Sequence, residues 1–212
     1  MNWLSQNYAQ VVDLTVVHTW LSLAAIILSF IIAVPLGWVI SRWQLGRGAA
    51  IALVGVVYAI PSLPMFILIP VLTGLSIRSS ISMILVLTAY GVALLTRSAA
   101  DAFTQISPAL RFSAVAMGFS PIQRFFQVEL PTALPAIIAG LRVVVVSTVS
   151  LVTVGAVVGI KSLGTLLTDG FQRGIVAEVA TGLALTVVLA LLFDALCQGL
   201  EKLLLPWKAV AA

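Results

Sequence analysis

The chain has 212 residues, of which 61% are hydrophobic and 8% charged, and its mean hydropathy is +1.19. A soluble domain carries about 25% charged residues, so there is too little polar side chain here to coat a globular surface in water. A soluble enzyme is excluded, and the net charge of +4 needs no nucleic acid, because most of it flanks apolar runs. Those runs are continuous and longer than the roughly ten-residue alternating strands of a membrane β-barrel. The expected fold class is therefore all-α: a polytopic membrane protein of about five transmembrane helices. Residues 1–212 are expected to form a single transmembrane domain with no attached soluble domain.

Met1 to Gln10 contains no Lys or Arg, so the basic region of a cleavable signal is lacking, and the first apolar run is too long for such a signal. It is read as a permanent span, Leu14 to Ile40, with Pro35 as a tolerated kink. His18, near its start, is read as an interfacial or satisfied residue. The second span is expected over Ile51 to Leu75. Its Pro61, Pro64 and Pro70 free backbone carbonyls that must be satisfied inside protein or in a wet cavity. The third runs from Ile81 to Thr96. Ser107 to Pro131 follows as a polar, turn-punctuated island. The fourth span starts after Leu134 and ends at Ile160. Val143 to Ile160 holds 18 uncharged residues, enough for about 27 Å of helix, so this span can begin after Arg142 and leave that charge at the interface. The fifth is Val179 to Leu196, bracketed by Glu178 and Asp194. The single Cys197 excludes an internal disulfide and is read as packing; with one histidine, no metal site is expected.

Positive charge orients these spans. With the N-terminus outside and the C-terminus in the cytoplasm, Arg42, Arg47, Arg97, Arg111, Arg124, Lys202 and Lys208 fall on the cytoplasmic side. Only Arg78, Lys161 and Arg173 then lie outside, which is the asymmetry expected of the inner face. Trp3, Trp20, Trp38, Trp43 and Trp207 fall near span ends, as an interfacial aromatic belt requires.

The island has its own order. Ser107 is a hydroxyl N-cap before Pro108 at the first helical position. Gly118 is placed to end the short helix in a left-handed turn. Ser120, Pro121 and Gln123 then repeat the start signal with the spacing of a capping box. Pro131 and Pro135 close the second helix or kink its continuation. Phe112, Phe119, Phe125 and Phe126 give the hairpin an apolar surface. Physics alone leaves two readings: an amphipathic connector on the membrane surface, or a knob that fits a groove on a cytoplasmic partner.

The same residues resemble the coupling (EAA) loop of ABC importer permeases, E-A-A, three residues, G, nine residues, I-x-L-P. Ala114 matches the second alanine, Gly118 the glycine, and Val128, Glu129, Leu130 and Pro131 the terminal motif. Phe112 stands where the family commonly has glutamate and Ser113 replaces the first alanine, which removes one acid while keeping the helix–glycine–helix shape. The resemblance continues outside the loop. Ile60 to Pro64 is similar to the IPSL-type segment of permeases for compatible solutes, and Ala133 to Gly140 to the segment after their coupling loop. Leu163, Gly164 and Gly170 are similar to their outer-loop L-G-x5-G, although Ile160, Lys161 and Ser162 depart from the small residues expected there. The quaternary-amine permeases (glycine betaine, choline, carnitine) are the nearest subgroup, with methionine permeases second.

What the resemblance implies is a type I permease fold in the bacterial cytoplasmic membrane, moving a small solute by alternating access. Its partners would be ABC ATPase subunits that bind ATP and Mg, a second permease subunit, and an extracytoplasmic solute-binding protein. The coupling loop would present Phe112, Ser113, Ala114, Gly118, Phe119, Ser120, Pro121, Glu129, Leu130 and Pro131. The chain carries no catalytic residues and no cofactor of its own; Gly155 to Ser162 has the wrong spacing for a P-loop. Candidate pathway residues are Pro61, Ser62, Pro64, Ser147, Ser150 and Thr153, although hydroxyls also serve interhelical packing. Lys161, Ser162, Leu163, Gly164 and Asp169 are candidates for facing the binding protein. No aromatic cage for a quaternary ammonium is evident. A secondary transporter would need ionisable groups in the spans and repeated halves, and a non-transporting assembly subunit is the remaining alternative.

Overall fold

Near-unbroken apolar sequence leaves the backbone no partner but itself, and helices are the result. The computed structural model describes residues 2–43 and 45–205, and among them there are helices and turns but no strands. Trp207 and Lys208 lie outside the described residues. A short α1 (Asn2–Gln6) leads into α2 (Tyr8–Arg42), a 35-residue helix that passes through Pro35. The third expected span lies within α5 (Ser80–Thr104) and the fifth within α10 (Val176–Leu204). α10 outruns its sequence bounds because the bracketing acids are neutralised. Glu178 is fully buried and accepts from Arg173 at 2.6 and 2.8 Å, and Asp194 is paired with Arg142.

The second expected span is not one straight helix. It breaks into α3 (Arg47–Ala59) and α4 (Ser62–Thr73), which meet at 105°. The cause is Pro61: the residue before a proline is driven out of the helical region, and Ile60 sits at φ −66°, ψ 127°. Pro64 would normally leave the Ile60 carbonyl unpaired. The Tyr90 hydroxyl donates to it instead, at 2.5 Å.

The fourth expected span starts earlier than its sequence suggested. α7 (Pro121–Arg124), a π-helical turn (Phe125–Glu129) and α8 (Leu130–Val154) run on into a 3-10 turn (Gly155–Val158), forming one continuous rod of 38 residues. Pro131 and Pro135 do not stop it. In the π turn the Leu130 N–H reaches back to the Phe125 carbonyl, and this extra residue accommodates a proline ring one step later. Gly159, at φ +85°, ends the rod.

α2 and α5 are packed closely and run parallel. Gly91 of α5 leaves no room for a Cβ beside Ser29, and Gly37 of α2 none beside Ala99, so both helices advance in the same direction. α8 runs the other way, with Gly140 against Ser98 and Val144 near Gly91. Parallel neighbours require the chain to return between them, and α3 with α4 is the only segment available for it. Among the described residues, four helices are long and apolar enough to cross a membrane, or five if the bent pair counts as one span. Helix α9 (Leu163–Arg173) packs under the start of α10. His18 is buried, and its Nε2–H donates to the Val149 carbonyl at 3.0 Å. Cys197 packs with Ile26 and Val145.

Candidate functional site

Between α5 and α8 the chain forms a hairpin from short-range signals alone. Ser107 caps α6 (Pro108–Ala116) by accepting the Leu110 N–H. At its end the Gly118 N–H donates to the Val115 carbonyl at 2.9 Å and the Phe119 N–H to the Ala114 carbonyl at 3.1 Å. That pair of bonds is a Schellman turn, and it needs the left-handed residue that Gly118 supplies at φ +81°. Ser120 and Gln123 then cap α7 reciprocally, at 2.9 and 3.3 Å. Pro121 occupies the first helical position.

Ala114 is buried and Ser113, Gly118, Ser120 and Pro121 are exposed, while Phe119, Leu130 and Pro131 are half-buried. Phe112 is 75% exposed, and Met117, Ile122 and Phe126 are also largely uncovered. The hairpin thus presents apolar side chains that none of the described residues covers.

Its base is anchored by Glu129, the variable residue of V-x-L-P. This carboxylate is fully buried and accepts from Trp38 Nε1 at 2.6 Å and Arg42 Nη2 at 2.7 Å. Arg124 approaches to 3.1 Å and Arg111 to 3.7 Å. Arg42 also lies over the Trp38 ring, 4.3 Å from its centroid, and Phe125 packs edge-on against the same ring. Arg111 donates to the Phe103 carbonyl of α5, and Arg47 pairs with Asp101 at 2.7 Å. One acid therefore ties α2, α6, α7 and α8 together. A buried charge is tolerated only when it is this fully paired. The acid that Phe112 displaces has no counterpart at its own position; the carboxylate of this region sits at Glu129 instead. Sequence reading named Glu129 but missed Trp38, Arg42, Arg111 and Arg124. Trp38 and Arg42 are one turn apart on α2, which was the only local hint of a shared target.

The candidate pathway residues fall in two places. Pro61 and Pro64 are exposed and Ser62 half-buried at the α3–α4 elbow, whereas Ser147, Ser150 and Thr153 lie along α8 with Ser150 exposed. Thr153 donates to the Ser150 carbonyl at 2.6 Å. The two groups approach each other through Phe66 of α4 and Val152 of α8, which share one apolar cluster. In the loop before α9, Ser162 is a buried N-cap, bonded to the Gly164 N–H at 3.1 Å and to the Val152 carbonyl at 3.2 Å. Leu163 and Gly164 are buried too, Gly164 directly against the Thr153 backbone. Lys161 is exposed and Asp169 half-buried; the most exposed apolar side chain there is Phe171. Arg142 is not at a helix end: it stands midway along α8, bonded to Asp194 through two contacts of 2.6 and 2.8 Å.

Residues 26–208 match the family described as binding-protein-dependent transport system inner membrane component. The chain is 28% identical to the osmoprotectant import permease protein OsmW of Salmonella typhimurium (strain LT2), over 97% of each chain. It is 30% identical to the glycine betaine/carnitine/choline transport system permease protein OpuCD of Bacillus subtilis (strain 168), over 97% of this chain and 89% of that one. Among solved structures, the inward-facing MetNI methionine ABC transporter shares the fold, with a TM-score of 0.78 at 22% identity over 92% of this chain and 95% of that one. With hairpin, bundle and sequence in agreement, the chain belongs to the binding-protein-dependent transport system inner membrane components, as the permease subunit of an ABC importer.

Proposed function

We propose that this permease carries a small quaternary-amine solute, such as glycine betaine, choline or carnitine, into a bacterial cell across its cytoplasmic membrane, and that the α6–Gly118–α7 hairpin is its contact with the ATPase. The hairpin carries the proposal: its apolar tip is uncovered while its base is held by Glu129. A rigid knob of this kind fits a groove on a partner and transmits displacement to the helices behind it. The relatives' named solutes support the choice of cargo.

The hairpin faces the cytoplasm in this reading. Arg42, Arg47, Arg111 and Arg124 gather around it. At the opposite end Arg78 lies against Gly159 and Arg173 pairs with Glu178. The excess of arginine at the hairpin end accords with the inner face of a membrane. Two permeases would enclose the pathway, two ATPases would bind ATP and Mg beneath them, and an extracytoplasmic binding protein would deliver solute. Closure of the ATPases would draw the two hairpins together and switch the pathway from inward- to outward-facing.

The test is uptake by the full complex in vesicles. Wild type should accumulate choline, glycine betaine or carnitine only with ATP and loaded binding protein. Gly118→Leu should insert normally yet lose uptake, because a side chain at φ +81° costs about 1–2 kcal/mol and misdirects α7. Normal uptake by that variant would sink the coupling role, and methionine uptake in place of the amines would sink the solute assignment.

A further inference from the structure

Charges on the long helices keep within about two turns of the ends, except for Arg142 of α8 and Asp194 of α10. Arg142 stands about 20 Å along α8 from Glu129 and about 18 Å from Val154, at 1.5 Å per residue. Its neighbours Leu141 and Val145 pack with Ile26 near the middle of α2 and with Phe193 and Cys197 of α10. Arg142 donates to Asp194 through its Nε–H and one Nη2–H, and Gln198 donates to the same carboxylate at 2.8 Å. The pair is not sealed: 38% of the Arg142 side chain and 20% of Asp194 stay exposed. Beside it, α8 exposes Ala139, Val143, Val146 and Ser150, whereas the far side of α10 turns out Leu192, Leu196 and Leu203.

A half-open ion pair at this depth cannot face hydrocarbon without losing its hydration, and charge inside a span marks a solute or ion route. We propose that the exposed face of α8 around Arg142 and Asp194 borders the solute pathway, and that the pair is a charge gate for a zwitterionic amine. The inference deepens the quaternary-amine reading and rests on it for the solute. A quaternary ammonium has no N–H to donate, so it is held by opposite charge, which Asp194 provides. The solute carboxylate competes for the planar fork of Arg142, which binds carboxylates through two parallel bonds. Glycine betaine and carnitine have both groups; choline lacks the carboxylate.

The experiment uses the assembled complex in vesicles and reads two quantities. With Cys197→Ser as background, Val146→Cys, one turn from Arg142, should react with a water-soluble thiol reagent while Leu192→Cys does not; an unreactive Val146→Cys overturns the pathway placement. Arg142→Gln should lower glycine betaine uptake about tenfold relative to choline. An unchanged ratio overturns the gate. The swap Arg142→Asp with Asp194→Arg preserves a helix clasp but exchanges the charges, so it should leave the ratio disturbed; full recovery would make the pair a clasp and defeat the proposal. Wild-type vesicles that carry neither solute defeat the solute assignment instead, and the thiol reaction still reports on the pathway.

Discussion

Glu129 accepts hydrogen bonds from Trp38 and Arg42 and has two further guanidiniums, Arg124 and Arg111, in ion-pair contact, and these partners come from segments up to 91 residues apart. Replacing it with glutamine removes the charge that three partly exposed guanidiniums share. Water can still reach those guanidiniums, so the loss is smaller than for a charge stranded in a dry core. Glu129→Gln should therefore lower the thermal stability of the purified complex and raise ATP hydrolysed per solute moved; an unchanged ratio would show that the hairpin transmits force without this anchor. Ser120 is a milder case. Its hydroxyl caps α7 in the open, so Ser120→Ala should cost about 1 kcal/mol, seen as a small fall in melting temperature with coupling intact. Ser107, Gly118, Ser120 and Gln123 were legible in the sequence because each acts within a few residues. The partners of Glu129 were not, because charge pairing between distant segments leaves no local periodicity.

At the scale of elements, prolines decided where reading and structure parted. Pro61 breaks its run into two helices, whereas Pro131 and Pro135 are absorbed within a rod that keeps going. The difference lies in what replaces the missing N–H. Before Pro131 a π turn shifts the bonding by one residue; at the elbow the Tyr90 hydroxyl takes over the stranded Ile60 carbonyl. Tyr90→Phe leaves that carbonyl unpaired in the bundle and should cost about 1–3 kcal/mol. Thermal unfolding of the purified permease would measure it, and an unaltered melting temperature would mean the elbow is held by packing alone. The loop before α9 teaches a related lesson. Ser162, Leu163 and Gly164 read as surface residues in sequence, yet they fold inward as a cap and a close contact, and the exposed side chains follow later, at Phe171.

Across the whole molecule, the bundle depends on close approach of α2, α5 and α8. Gly37, Gly91 and Gly140 are positions there where an added side chain meets backbone or a packed serine. Gly37→Leu should block assembly and leave the chain in the membrane but unable to bind its partners, as judged by co-purification. Gly55, with open space around it, is the control: Gly55→Ala should assemble normally. Sequence by itself determined that lipid is the solvent, that the fold is helical, roughly where the chain crosses, and that a capped glycine hairpin interrupts the crossings. These follow from composition, run length and capping, all of which act between near neighbours. Only the tertiary structure decided which helices lie side by side, that the second crossing bends at 105°, which arginines surround Glu129, and that Arg142 meets Asp194 in mid-bundle rather than at an edge. Such contacts join residues far apart along the chain, and in a nearly uniform apolar sequence almost every helix face offers the same surface, so their pairing is set by glycine contacts and buried charge, which appear only once the helices are packed.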